Sequence, residues 1–184
     1  CCFCDHCRIA LLSSGIDPDF ISERFRARLS RYFDGQMATV DCADQAEAEL
    51  RDLIGEDATT GLLQMRNQCV LGLLQEIRDI IPRTIELTVT AGLSPFECGA
   101  LFGAHPKDVL KIADGLLLVV FEPNDAAFRK RFNDALQRFP DPSRWITGMR
   151  IFPPDANSRE TIETRLGFLE HQGFSAVHLY HYGL

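Results

Sequence analysis

Apolar residues recur at helical spacing in the first half of the chain and gather into short, nearly continuous runs in the second. In "DPDFISERFRARLSRYF" (17–33), Phe20, Ile21, Phe25, Leu29, Tyr32 and Phe33 fall on one helical face. Asp17 followed by Pro18 reads as its start, a capping side chain ahead of a residue whose φ is already helical. Upstream, "RIALLSSGID" begins helically and breaks at Gly15. The polar, acidic stretch 34–57 predicts a loop with a short helix near 43–54. "TTGLLQMRNQCVLGLLQEIRDIIP" (59–82) is the clearest helix in the chain. Leu62, Met65, Cys69, Leu73, Ile77 and Ile80 form its stripe, Leu63, Val70, Leu74 and Ile81 flank it, Thr59 or Thr60 caps it and Pro82 stops it.

From residue 84 onward the period alternates. "TIELTVTAG" (84–92), "DGLLLVVF" (114–121), "WITGMRIF" (145–152) and "SAVHLYHYGL" (175–184) read as strands. The second is apolar throughout, as a strand buried on both faces would be. Helices are predicted between them over 105–113, 124–139 and 158–173, the last with Ser158 as its cap and Gly173 as its stop. Strands alternating with helices mean right-handed crossovers and a parallel sheet. Four such strands can make an open α/β sheet. They are also half of an eight-stranded α/β barrel, which takes about 250 residues in full. The short helical returns, and the polar residues where a barrel interior would lie, favour the half-barrel. The expected organisation is therefore a cysteine-knot loop and helical segment over 1–83, followed by four β/α units over 84–184. Together these make one incomplete domain.

Composition narrows the partners. A net charge of −7 argues against a nucleic-acid binder, which needs a basic footprint. No apolar run approaches the ~20 residues of a membrane span. Seven cysteines is an odd number, and Cys42, Cys69 and Cys98 are scattered. That suits a reduced, cytoplasmic protein with one metal-type cluster better than a secreted disulfide framework. Residue 1 is a cysteine and no helix follows the last strand. The expectation is that an N-terminal half of the same polypeptide, or a second copy of the chain, supplies the missing strands.

The cluster itself opens the sequence as "CCFCDHC". Cys2, Cys4 and Cys7 are spaced C-x-C-x2-C. Thiolates so close together on a tight loop can converge on one ion, and zinc favours a tetrahedron of soft ligands. The fourth ligand could be Cys1, His6 or a residue from elsewhere, Cys1 being badly placed beside Cys2. The competing reading is a set of reduced thiols with no metal.

"CFCDHC", an amphipathic helix and then a long helix carrying "MRNQ" before a strand together resemble the middle of zinc-containing β-galactosidase-like barrels. They are also similar to bacterial glycosidase-like barrels with a "CFCxxC" motif. By motif the resemblance covers roughly residues 1–92; beyond that only the order of elements agrees. It implies that the knot follows the fourth barrel strand, that it shares a structural zinc with an upstream cysteine, and that the strands here are the fifth to the eighth. It implies hydrolysis of a carbohydrate by two carboxyl groups, about 5–5.5 Å apart in a retaining enzyme. The acid/base glutamate would lie upstream of residue 1. The nucleophile would be a glutamate ending the seventh strand, but here that strand runs into "RIFPPDAN". Asp155 is the nearest carboxylate, so the chain departs from the family at this position.

Read residue by residue, Glu122 is the best-placed visible acid, directly after "LLLVVF", and is a catalytic candidate with Asp155. The plainer reading of Glu122 is a solvated loop residue. Strand parity puts His178, Tyr180 and Tyr182 on one face of the last strand and Val177 and Leu179 on the other, toward the helices. Arg150 lies between Met149 and Ile151, where a guanidinium needs a partner or a substrate oxygen. Arg66, near the start of the long helix, could reach the active-site rim or make a surface ion pair. Glu86 and Asp114 stand at strand starts, the end of such folds associated with stability. The expected function is glycoside hydrolysis. The alternatives are a non-catalytic barrel fragment that binds carbohydrate or a protein partner, and a barrel with other metal-assisted chemistry.

Overall fold

A computed structural model describes residues 3–37, 43–92, 99, 102–122, 124–139, 141–152, 158–174 and 176–180. The chain divides into two compact units, Cys1–Val70 and Leu71–Leu184. The division falls inside the long helix.

The first unit is helical. Its elements are α1 (Asp5–Ser13), α2 (Pro18–Phe33), α3 (Ala43–Ile54) and the first part of α4 (Glu56–Ile80). Gly15 has φ +72°, a left-handed turn that suits glycine, and it ends α1 where the sequence indicated. Asp17 caps α2 by accepting from the Asp19 N–H at 2.9 Å, with Pro18 at the first helical position. Leu11, Ile16, Ile21, Ile54 and Leu62 form the core of this unit. Two expectations are corrected here. Cys4 and Cys7 do not sit on a loop, because Cys4 is the residue before α1 and Cys7 lies in its first turns. Thr59 does not cap α4, because the helix starts three residues earlier and the Thr59 hydroxyl bonds back to the Gly55 carbonyl at 2.7 Å. Burial of the apolar positions along α4 is uneven. Leu62 and Leu74 are buried, whereas Leu73 and Ile80 are exposed, Ile80 at 82%.

The second unit is built on a parallel sheet of β1 (Thr88–Ala91), β2 (Gly115–Val120), β3 (Trp145–Arg150) and β4 (Ala176–Tyr180), in that order. Consecutive parallel strands are what the alternating pattern predicts. Between them lie α5 (Pro106–Val109), α6 (Asp125–Arg138) and α7 (Arg159–His171). Asn124 caps α6 through the Ala127 N–H, and Ser158 caps α7 through the Thr161 N–H. The register aligns Leu116 with Trp145, Leu118 with Thr147 and Val120 with Met149, and this face is fully buried. Aromatic rings of the two helices and their loops close over it. Trp145 contacts Phe139 and Phe174, Phe174 contacts Phe132, and Phe132 contacts Phe128 and Phe168.

The opposite face is only partly covered. It carries Leu117 beside Ile146, Val119 beside Gly148 beside His178, and Arg150 beside Tyr180. This asymmetry has a physical origin. Strands added always on the same side, through crossovers of the same hand, put every helix on one face of the sheet. A doubly wound sheet instead reverses direction and covers both faces.

Candidate functional site

The carboxyl ends of the strands bring three of the predicted substrate residues together. Tyr180 follows the parity read from sequence and shares its face with Arg150 and His178. The His178 and Tyr180 rings lie 4.5 Å apart. Gly148, the register partner of His178, makes the room, since a Cβ built there would fall 2.7 Å from Tyr180 Cε2. Phe121, directly after β2, meets Tyr180 edge-on at 5.8 Å. The Arg150 guanidinium lies over the Phe121 ring at 4.2 Å and is 5.9 Å from the Phe152 ring. Two aromatic rings and a guanidinium thus line one patch, with the imidazole at its side. Such a patch can stack a ligand's C–H face and donate hydrogen bonds to its oxygens.

The predicted acids behave differently. Glu122 is next to this patch in sequence but on the other parity, turned toward α6. Its carboxylate lies 3.3 Å from Arg131 Nη1, and its side chain is 18% exposed. As an ion-paired carboxylate it positions α6 against the end of β2. To act as an acid it would have to leave that guanidinium. Asp155 and Tyr182 lie outside the described residues.

Of the predicted zinc ligands, Cys4 is exposed and Cys7 half-buried, and both are thiols rather than half-cystines; Cys2 lies outside the described residues. Cys4 precedes the helix and Cys7 is its third residue, a spacing that puts both side chains at one helix end. A helix N-terminus favours thiolates, so these two positions fit a thiophilic cation. Among the described residues there is no group of three or more metal-ligating side chains. Arg66 belongs to the first unit. There it borders a cavity of about 160 Å³ with Phe3, Cys7, Leu62, Met65 and Cys69.

The opposite end of the sheet is a network of ion pairs and hydrogen bonds around one buried guanidinium. Arg78 is 2% exposed and donates to Asp114 at 2.8 Å, to the Pro82 carbonyl at 3.0 Å and to the Ile85 carbonyl at 3.1 Å. Asp114 also accepts from the Leu87 N–H at 2.8 Å. That backbone bond, together with the Arg78 charge, holds the Asp114 carboxyl below the usual range. Arg144 reaches the carbonyls of Leu110, Ala113 and Asp114. Asp114 therefore has the stabilising place expected of a strand start.

Phe121 and Gly148 are the residues of the patch that sequence reasoning missed. Parity within β2 could have put Phe121 on the open face. Only the register between β2 and β3 shows that it lies under Arg150. Comparison with protein-family models, with curated proteins and with solved structures gives no match. Among the described residues no helix is long and apolar enough to cross a membrane.

Proposed function

We propose that the chain is the half of a glycoside-hydrolase-like (β/α)8-type barrel that carries strands five to eight, and that it binds a carbohydrate at the carboxyl ends of those strands. The observation that carries this reading is the patch of Phe121, Tyr180, Arg150 and His178. Aromatic faces flanked by a few hydrogen-bonding groups suit a sugar ring, which has an apolar C–H side and a polar edge. The carboxyl ends of parallel strands are also where barrels hold their sites. Barrel closure is supported by the uneven sheet. Leu117, Val119 and Ile146 are only half-covered, and four further strands would bury them. Those strands would come from the rest of a longer polypeptide or from a second copy. A structural zinc on Cys2, Cys4 and Cys7, in a reducing cytoplasmic setting, belongs to the same reading. When bound, the ion would cross-link the start of α1.

The ion pair between Glu122 and Arg131 favours a second reading, in which the site binds sugar without cleaving it. One experiment addresses both. Saturation-transfer NMR with a panel of mono- and oligosaccharides should show contacts that Tyr180→Ala and Phe121→Ala abolish. The same sugars as nitrophenyl glycosides would then report any hydrolysis. Absence of sugar contacts at millimolar concentration overturns the carbohydrate reading. Contacts without hydrolysis, unchanged by Glu122→Gln, select the non-catalytic one.

A further inference from the structure

We propose that the cavity of the helical unit is a binding site for a small aromatic molecule, a single ring with at most a short substituent. The proposal is independent of the carbohydrate reading, since every described lining residue belongs to Cys1–Val70 and none to the sheet. Size and lining come first. The space is about 160 Å³. An apolar cavity of about 150 Å³ lined by leucine, isoleucine and phenylalanine stays dry and takes up benzene. The floor here is made by Leu11, Ile21 and Leu62, which are 2%, 0% and 4% exposed and carry no polar side-chain atom. Bound water needs about two to four polar partners, and those three side chains offer it none. Protein interiors are otherwise closely packed, so a space of this size over such a floor suits an apolar guest. Arg66 and Cys69 stand on the solvent side of the lining, half-buried and exposed respectively, so the cavity opens beside them on α4.

The walls choose an aromatic ring over a saturated one. Met65 and Cys69 are one helical turn apart, with Sδ and Sγ 3.8 Å from each other, and both line the cavity. Cys7 brings a third sulfur from α1. Thioether and thiol sulfurs are polarisable, and a thioether makes favourable contacts with the edge of an aromatic ring. Phe3 adds a ring of its own, held edge-on against Phe25 with the centroids 6.3 Å apart. A ligand ring can meet it offset or edge-to-face and gain more than the area it buries. A saturated ring of the same volume would fill the space but would use neither kind of contact.

The chain carries its own reporters for the test. Of its three methionines, Met65 lines the cavity, Met149 is buried on β3 in the other unit, and Met37 meets Arg28. The 184-residue chain, kept reduced and labelled with carbon-13 at the methionine methyls, is titrated with benzene and toluene and, as saturated counterparts, with cyclohexane and methylcyclohexane. Met65→Leu assigns the signals, or Met37→Leu and Met149→Leu do so by elimination. Benzene or toluene should shift the Met65 signal saturably, with a dissociation constant of about 1 mM or below, and leave the Met149 signal in place. After correction for each probe's partition from water into hydrocarbon, the aromatic rings should bind about threefold or more tighter than the saturated ones. Val70→Phe, which fills the space from its wall, should abolish the shift. No saturable shift of Met65 up to the solubility of the probes, or shifts of Met65 and Met149 alike, would overturn the proposal. Equal corrected affinities would overturn the aromatic assignment. Undiminished binding in Val70→Phe would remove the cavity from the role. The titration of the unaltered chain decides the main point even where a variant fails to fold.

Discussion

Replacing Gly148 by alanine tests the register on which the patch depends. A Cβ at this position would lie 2.7 Å from Tyr180 Cε2, with Leu117 Cδ1 and the Leu118 carbonyl oxygen each at 3.6 Å. The last two are ordinary contacts. The first is about 1 Å short of a relaxed carbon–carbon distance of about 3.5–4.0 Å. Either β3 and β4 spread, or the Tyr180 ring swings away. Overpacking a tight site costs about 1–3 kcal/mol. Tyr180 is only half-buried, so the ring has a way out, and the low end applies. Its departure forfeits the contacts with Phe121 and His178, and an aromatic pair contributes about 0.5–1.5 kcal/mol beyond its buried area. The expected loss for Gly148→Ala is therefore about 1–2 kcal/mol.

The double variant makes the reasoning refutable. With Tyr180→Ala already present, nothing opposes the new methyl. Alanine is then a better strand residue than glycine by about 0.5–1 kcal/mol. Gly148→Ala should turn from destabilising to neutral or mildly stabilising. The coupling between the two sites should exceed the about 0.3–0.5 kcal/mol within which independent sites add. Trp145 is the only tryptophan and is buried on β3, so its fluorescence in urea follows the sheet unit rather than the helical one. Additive effects would refute the argument. Tyr180 would then not rest on Gly148, and a one-residue slip of β4 would have turned His178 and Tyr180 to the other face.

Three further outcomes are expected. The Asp114 carboxyl is depressed in the folded chain, so its contribution is complete above the unfolded pKa of about 3.9 and disappears as pH falls through the lower folded value; acid unfolding followed by Trp145 should lose part of its acid limb in Asp114→Asn, and an unchanged profile would deny that carboxylate its role. Arg165 is 1% exposed and pairs with Asp125 at 2.7 Å, while its Nη1 and Nη2 have no hydrogen-bond partner among the described residues. Because Asp125 is partly solvated and can stand alone, Arg165→Met should remain within about 1 kcal/mol of the parent in urea, or exceed it; a loss of about 3 kcal/mol or more would show a bridged network there. If Cys2, Cys4 and Cys7 hold zinc, the reduced chain purified with zinc should carry about one ion by elemental analysis, and Cys4→Ser or Cys7→Ser should lower that content sharply; no metal in the parent would leave plain thiols.

What could be read in advance divides by physical range. Asp17 with Pro18, Ser158 and the stop at Gly15 are local: a side chain or a φ angle acts within three residues, and each is found where the sequence put it. The period of two in β4 is local as well, and it put His178 and Tyr180 together. The α4 start failed because two signals competed. Thr59 and Thr60 looked like caps, but Gly55 with φ +87° turned the chain one helical turn earlier and left Thr59 buried inside the helix. The α4 stripe shows a different limit. Period tells which residues share a face, not whether anything covers that face, and Leu73 and Ile80 are uncovered. Phe121 escaped for want of register, which neither β2 nor β3 encodes alone.

The two ends of the sheet are held by different kinds of interaction, and this bears on where function can reside. At the amino end, Arg78 and Arg144 satisfy backbone carbonyls and the Asp114 carboxylate, groups that are all internal to the fold. Taking its partners from Arg78 would strand a buried charge, which is costly. Such an end holds the strand starts in place. At the carboxyl end, beside the Glu122–Arg131 ion pair, the contacts are of ring upon ring and guanidinium upon ring. These are weaker and tolerate small shifts. A parallel sheet with helices on one face needs both. The amino end fixes the strands so that side chains projecting from the carboxyl end keep their spacing. The carboxyl end then supplies an aromatic surface that a ligand can meet while the strands stay fixed.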